Sequence, residues 1–175
     1  MAFKTGYRRF IRVVGRVFAI WVRRGKCRAC ARSHALIPDF CLLGRLDGVA
    51  VIGSGLAQAL SGAGMRTVAS IAEVPHTTAR DWRRRHRKRA PILVAGLAAL
   101  TVALGGDAPD VSGDAERGAI EALAAAWSQA RERFGSKVVA LWRFWSLVNG
   151  GTILARATNP PWATVGGWRL MPPEP

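Results

Sequence analysis

Three groups of residues in this chain have types and spacings that suit chemistry. The first is Cys27-x-x-Cys30, half of a structural zinc site; Zn²⁺ in such sites takes four ligands, commonly Cys and His. His34 and Cys41 would complete a Cys-Cys-His-Cys set, with two, three and six intervening residues, a spacing near to but not the same as a zinc knuckle. Cys41 stands in Phe40-Cys41-Leu42-Leu43, where a free cysteine ordinarily packs as a small hydrophobe. His34 suits a backbone hydrogen bond under the knuckle equally well. No base neighbours these thiols in sequence, so nucleophilic cysteine chemistry is not expected. Three cysteines make no disulfide framework, which favours a reducing compartment.

The second group is the stretch RTVASIAEVPHTTARDWRRRHRKR, residues 66–89. Helical spacing predicts a short helix from Met65 to about Glu73, a break at Val74-Pro75, and a second helix from His76 to about Arg89. Val68, Ile71 and Ala72 would face inward from the first, with small Ala69 where the helices touch and Val74 as the plug of the turn. Ala79 and Trp82, three apart, would face inward from the second. That orientation turns His76, Thr77, Arg80, Asp81 and Arg84 outward, as a helix laid in a DNA major groove requires. Arg80 and Arg84 are one turn apart, and each suits guanine O6 and N7. Asp81 suits a cytosine amine, or orients Arg84 or Arg85. Arg83, Arg85, Arg87, Lys88 and Arg89 suit phosphates.

The third group is acidic: Asp107, Asp110, Asp114, Glu116, Glu121 and Glu132. Metal-dependent strand transfer needs three carboxylates held around two metal ions. Four of these acids lie in or beside one linker, and no strands are predicted to gather them. Catalysis is therefore not expected, and the chain reads as a non-enzyme.

The charge pattern agrees with the second group. Residues 1–90 carry 19 Lys and Arg against 4 Asp and Glu, whereas residues 91–175 carry 7 of each, so the whole net charge of +15 lies in the first half. A segregated excess of this kind suits a polyanion. The apolar run Ile92–Leu104 is shorter than the roughly 20 residues of a membrane-spanning helix. The charged N-terminus does not read as a secretory signal, and a cytoplasmic protein without a membrane partner is expected. No aromatic stacking platform of the kind single-strand binders use stands out.

The elements that must position these residues make a mainly α chain. Tyr7–Val14 and Arg16–Arg24, punctuated by Gly15 and Gly25, predict a β-hairpin, with 27–41 irregular behind it. Leu46, Val49, Ile52, Gly53, Leu56 and Leu60 predict a helix over 46–60, with Asp47 at its positive end. Pro91 is expected to separate the helix of His76 from one over 92–104. A linker at 105–117 precedes a long helical segment over 115–148, broken near Gly135 and Ser136. Four units follow: 1–41, a zinc-ribbon-like remnant; 42–90, a three-helix helix-turn-helix; 91–150, a C-terminal helical region; and 151–175, a loosely ordered tail. The apolar faces of 118–148 suit core packing, or a seam for a homodimer on paired half-sites.

The pattern V-A-x-x-A-x-V-P-x-T-T-x-R-x-W, residues 68–82, resembles the helix-turn-helix of transposase-related proteins. GKCRACARSHALIPDF, LDGVAVIG and VPHTTARDWRRRHR together resemble an uncharacterised actinobacterial family that pairs a zinc-ribbon-like N-terminus with this motif. The resemblance covers roughly residues 7–150 and is most specific over 21–89. It implies binding to double-stranded DNA as a regulator or transposase-related targeting module, and kinship to insertion-sequence proteins, without a known reaction. The alternatives are a non-catalytic remnant or subunit of such a transposase, or a basic module for RNA or a protein. The resemblance also implies a further CxxC upstream of the hairpin; none stands before Tyr7 here, which leaves Cys27 and Cys30 as the expected zinc ligands of an incomplete set. Glu73 occupies the turn position where many such motifs carry Gly, and is expected to keep its backbone out of the left-handed region.

Overall fold

A computed structural model describes residues 2–26, 28, 31 and 33–154. Strands β1 (Ala2–Val13), β2 (Arg16–Lys26) and β3 (Ser33–Ala35) form an antiparallel sheet in the order β1-β2-β3. Helices α1 (Val49–Leu60), α2 (Met65–Ile71), α3 (His76–Ala103), α4 (Ala115–Phe134) and α5 (Leu141–Val148) follow, with a 3₁₀ turn at Gly135–Lys137. The chain is mainly α with an N-terminal antiparallel sheet.

The hairpin closes through Val14-Gly15, both at positive φ (41° and 67°), as a two-residue turn between right-twisted strands demands. Ile11 and Val22 are its buried residues. It is pinned to the helical body by polar contacts. Arg9 Nη2 donates to the carbonyls of Leu42 (2.7 Å) and Arg45. Arg12 Nε pairs with the nearly buried Asp47 at 2.6 Å, and the Arg12 backbone bonds to Leu46 and Gly48. Asp47 therefore anchors the hairpin rather than starting a helix. α1 begins at Val49 behind Gly48, and Leu46, expected in the core, is exposed.

One hydrophobic core runs through all five helices, from Leu42 to Leu154. Two glycines of α1 set how closely its neighbours approach. A Cβ on Gly53 would lie 2.3 Å from the Trp142 indole; one on Gly55 would lie 3.1 Å from Val68 and 3.3 Å from Trp82. α1 thus packs directly across the α2–α3 pair.

The structure departs from expectation at two joints. α3 continues through Pro91 instead of ending there. Proline removes one N–H from the ladder, and the burial of Ala90, Leu93, Leu97 and Leu100 on one side of the helix offsets that loss. The expected boundary at 90–91 consequently falls inside a helix. Second, Ile153 and Leu154, placed in a loosely ordered tail, are fully buried; residues 155–175 lie outside the described residues. α4 buries Ala119, Ala122, Leu123, Ala126 and Ala130 in the shared core, against α3, while Phe134 and Leu147 stay about half exposed. The break near Gly135 and the linker before α4 fall where the sequence places them. Among the described residues no helix is long and apolar enough to cross a membrane.

Candidate nucleic-acid interface

α2 ends because its last carbonyls are taken by a tight backbone turn. Val74 N–H donates to Ala69 O (3.0 Å) and Glu73 N–H to Ser70 O (3.2 Å), the paired bonds of a Schellman motif. This closure requires a left-handed residue after the C-cap, and Glu73 takes it at φ 53°. The expectation that Glu73 avoids that region is overturned: the geometry of the turn outweighs a strain of about 1 kcal/mol. Pro75 then caps α3, its carbonyl accepting from Thr78 at 2.8 Å.

The faces of the two helices follow from this turn. Val68, Ala69 and Ala72 of α2, and Ala79 and Trp82 of α3, are buried, Trp82 to 1% exposure. Ile71, expected among them, is exposed instead and flanks Val13 and Val14 of the hairpin. The hairpin tip comes close to the turn, where a Cβ on Gly15 would collide with the Glu73 carboxylate.

On the outer side Thr77, Arg80, Arg84, Arg87 and Lys88 are exposed, while His76, Asp81 and Arg83 are half-buried. Met65, Thr77, Arg80, Asp81, Arg83, Arg84 and Arg87 line an open hollow of about 570 Å³. Two carboxylates organise its arginines. Asp81 accepts from Arg45 Nη1 (2.8 Å), Arg84 Nη2 (2.6 Å) and Arg85 Nε (2.7 Å). Burial opposes its ionisation, but the hydrogen bonds from Arg85, Arg84 and Arg45 prevail and hold the carboxyl well below its usual range. Asp81 thus accepts hydrogen bonds from both arginines that its sequence position suits it to orient, Arg84 and Arg85. Arg84 remains 74% exposed at its side chain despite this bond, whereas Arg85 is 14% exposed and committed to Asp81. Arg89 reaches the Thr152 carbonyl at 3.4 Å.

The second carboxylate is Glu116, at the start of α4. It accepts from Arg83 Nε at 3.0 Å and from Arg87 Nε. Burial opposes its ionisation too, and the Arg87 and Arg83 hydrogen bonds lower its pKa nonetheless. Glu116, Arg45 and Met65 are the members of this surface that sequence reasoning missed. The partners of Glu116 and Arg45 lie 29 to 36 residues away along the chain, beyond any helical periodicity.

The zinc expectation falls mostly outside this view, because Cys27 and Cys30 lie outside the described residues. Cys41 is fully buried; burial pushes its thiol up to about 11 against the pull of the Arg9 charge, so it stays protonated at neutral pH. His34 sits exposed on β3 opposite Gly25. Among the described residues no three His, Cys, Asp or Glu side chains are grouped to hold a metal ion.

No family model, curated protein or solved structure matches this chain.

Proposed function

We propose that the chain binds double-stranded DNA through α2, its turn and the first half of α3, acting as a helix-turn-helix with α3 in the major groove. The observation that carries this reading is the orientation of α3. Ala79 and Trp82 are buried against α1 and α2, which leaves Thr77, Arg80 and Arg84 on the open side of a cationic hollow. Arg80 is the member of that row without a carboxylate partner among the described ion pairs, and is assigned to a guanine edge. Arg84, held by Asp81 yet exposed, is assigned the same role one turn on. Arg83, Arg87 and Lys88 flank them and meet phosphates, and His76 and Thr77 lie at the helix start, where base edges are first met. The chain acts as a regulator or targeting module and carries out no reaction.

Titration of the full chain onto labelled duplex at several salt concentrations tests this. If about six phosphates are neutralised, log K falls against log salt with a slope near −5. A flat salt response overturns the proposal.

A further inference from the structure

The hairpin register defines a second surface. Residues directly opposite in an antiparallel pair share a face, so Arg8 and Trp21 lie side by side, as do Phe10 and Ala19. Ile11 and Val22, on the other face, are the buried apolar residues of the hairpin. The outward face therefore presents Trp21 at 64% exposure, Phe10 at 52% and Val17 at 63%. Such an aromatic display is costly on a soluble surface unless something covers it.

Its construction narrows what that something is. A Cβ on Gly6 would lie 2.3 Å from Trp21 Nε1, so the indole rests on the bare glycine backbone, with the rest of the ring open to solvent. The Arg8 guanidinium sits 5.7 Å from the centroid of the Phe10 ring, beside Trp21. The row thus alternates flat π surface and fixed positive charge, on the half of the chain that carries the whole net excess of Lys and Arg. A purely apolar partner would have to desolvate Arg8, and an acidic peptide would leave the rings uncovered. A partner that is anionic along its backbone and offers planar rings at intervals satisfies both.

We infer that the outward face of the β1–β2 hairpin binds unpaired nucleotides, stacking a base on Trp21 and another on Phe10 while Arg8 meets the phosphate between them. None of these residues lines the hollow over α3, and the inference does not depend on the duplex reading. Base–aromatic stacking tolerates any sequence, so the contact adds affinity for single-stranded nucleic acid without base preference.

The test compares, for the full chain, an oligothymidylate of about 12 nucleotides with an abasic oligomer of equal length and charge. The expected result is at least about tenfold tighter binding to the oligomer that has bases. Trp21→Leu keeps the apolar contact but removes the π surface, and should weaken oligothymidylate binding about tenfold; Trp21→Phe should restore most of it. Duplex affinity should be unchanged in both variants, and Arg80→Ala should show the converse pattern. Equal affinity for the two oligomers overturns the inference, and so does a Trp21→Leu variant with unaltered or uniformly reduced binding. The comparison of bases with abasic sites uses the unmodified protein, so it decides the matter even if a variant folds poorly.

Discussion

Glu116 lies almost wholly buried at the start of α4 and accepts from Arg83 Nε at 3.0 Å, across the gap between two helices that are 33 residues apart at this contact. The same carboxylate takes Arg87, so one acid neutralises two arginines of the cationic hollow. Glu116→Gln should release both. Because each guanidinium is partly exposed and can rehydrate, the loss of stability should be modest, about 1 kcal/mol. Duplex affinity should rise at low salt, because a buried negative charge beside two phosphate-binding arginines is removed. Binding isotherms at several salt concentrations, with a melting curve, check this. An affinity that does not rise at low salt would mean that Arg83 and Arg87 stay away from phosphate.

The arginines of α3 should separate by role. Arg80→Ala and Arg84→Ala should weaken binding to a preferred site by about 1–3 kcal/mol each and cost less on random duplex. Lys88→Ala should weaken all sequences alike and reduce the salt slope by about one. A selection from random duplexes supplies the preferred site, and competition against random duplex then measures the ratio. If Arg80→Ala lowers both affinities by the same factor, Arg80 touches phosphate alone.

Much of this surface was legible in residue types and offsets, and the reasons are local. Ala79 and Trp82 are buried and Thr77, Arg80, Arg84 and Lys88 are exposed because a helix places residues three and four apart on one side, whatever the rest of the fold does. The hairpin followed from Gly15 and its flanking β-branched and aromatic residues in the same way, with Val14 joining the turn instead of the strand. What stayed hidden depends on distant partners. Ile71 is exposed, on the rim of an open hollow that it shares with Val13 and Val14 of the hairpin, far upstream in the chain. Asp47 was read as a helix start because its partner, Arg12, lies 35 residues upstream. Pro91 looked like a stop because local rules weigh its missing N–H, whereas the apolar residues on either side of it face one shared core. Trp21 and Phe10 escaped notice because strand alternation alone does not say which side of a hairpin the body covers.

Trp82→Ala should remove the packing that joins α1, α2 and α3. The indole is buried against Gly55, and its truncation should cost about 3–5 kcal/mol. Thermal unfolding followed by far-UV circular dichroism reads this directly. A melting temperature equal to that of the parent would show that the helix pair is held together by other contacts.

Gly53→Ala probes the opposite side of α1. Alanine favours the helix by about 1 kcal/mol. Here, though, the added methyl would sit 2.3 Å from atoms at the base of the Trp142 ring, which cannot swing clear without moving α5. Overpacking of this kind costs about 1–3 kcal/mol, so the net change should be a lower melting temperature despite the better propensity. Gly53→Ala combined with Trp142→Leu should recover part of the loss. If Gly53→Ala is instead stabilising, α1 and α5 are not in contact at this point.

His86 makes stability depend on pH in a defined window. It lies one turn after Trp82, fully buried, with neither ring nitrogen hydrogen-bonded and the ring set edge-on to Trp145 at 6.3 Å. Burial lowers its pKa from the ordinary 6.5 to about 4; the nearby Glu116 charge pulls it upward, Arg83 downward and Asp114 upward. In the unfolded chain the imidazole protonates near its ordinary value, whereas in the folded chain it stays neutral. The unfolded state therefore binds the extra proton between about pH 6.5 and 4, and stability falls as pH drops through that interval. The full loss should approach about 3 kcal/mol, with no further contribution from this group below the folded pKa. Asp81 and Glu116 are held low by their arginines, so their share of acid unfolding belongs mainly to the lower end of the interval and below it. His86→Leu removes the titrating group and two orphaned nitrogens at similar volume, and should flatten the upper part of the profile while raising stability at pH 5. Urea unfolding of both proteins at half-unit pH steps measures the difference; parallel profiles from pH 6.5 to 4.5 would mean that the imidazole reaches solvent in the folded state.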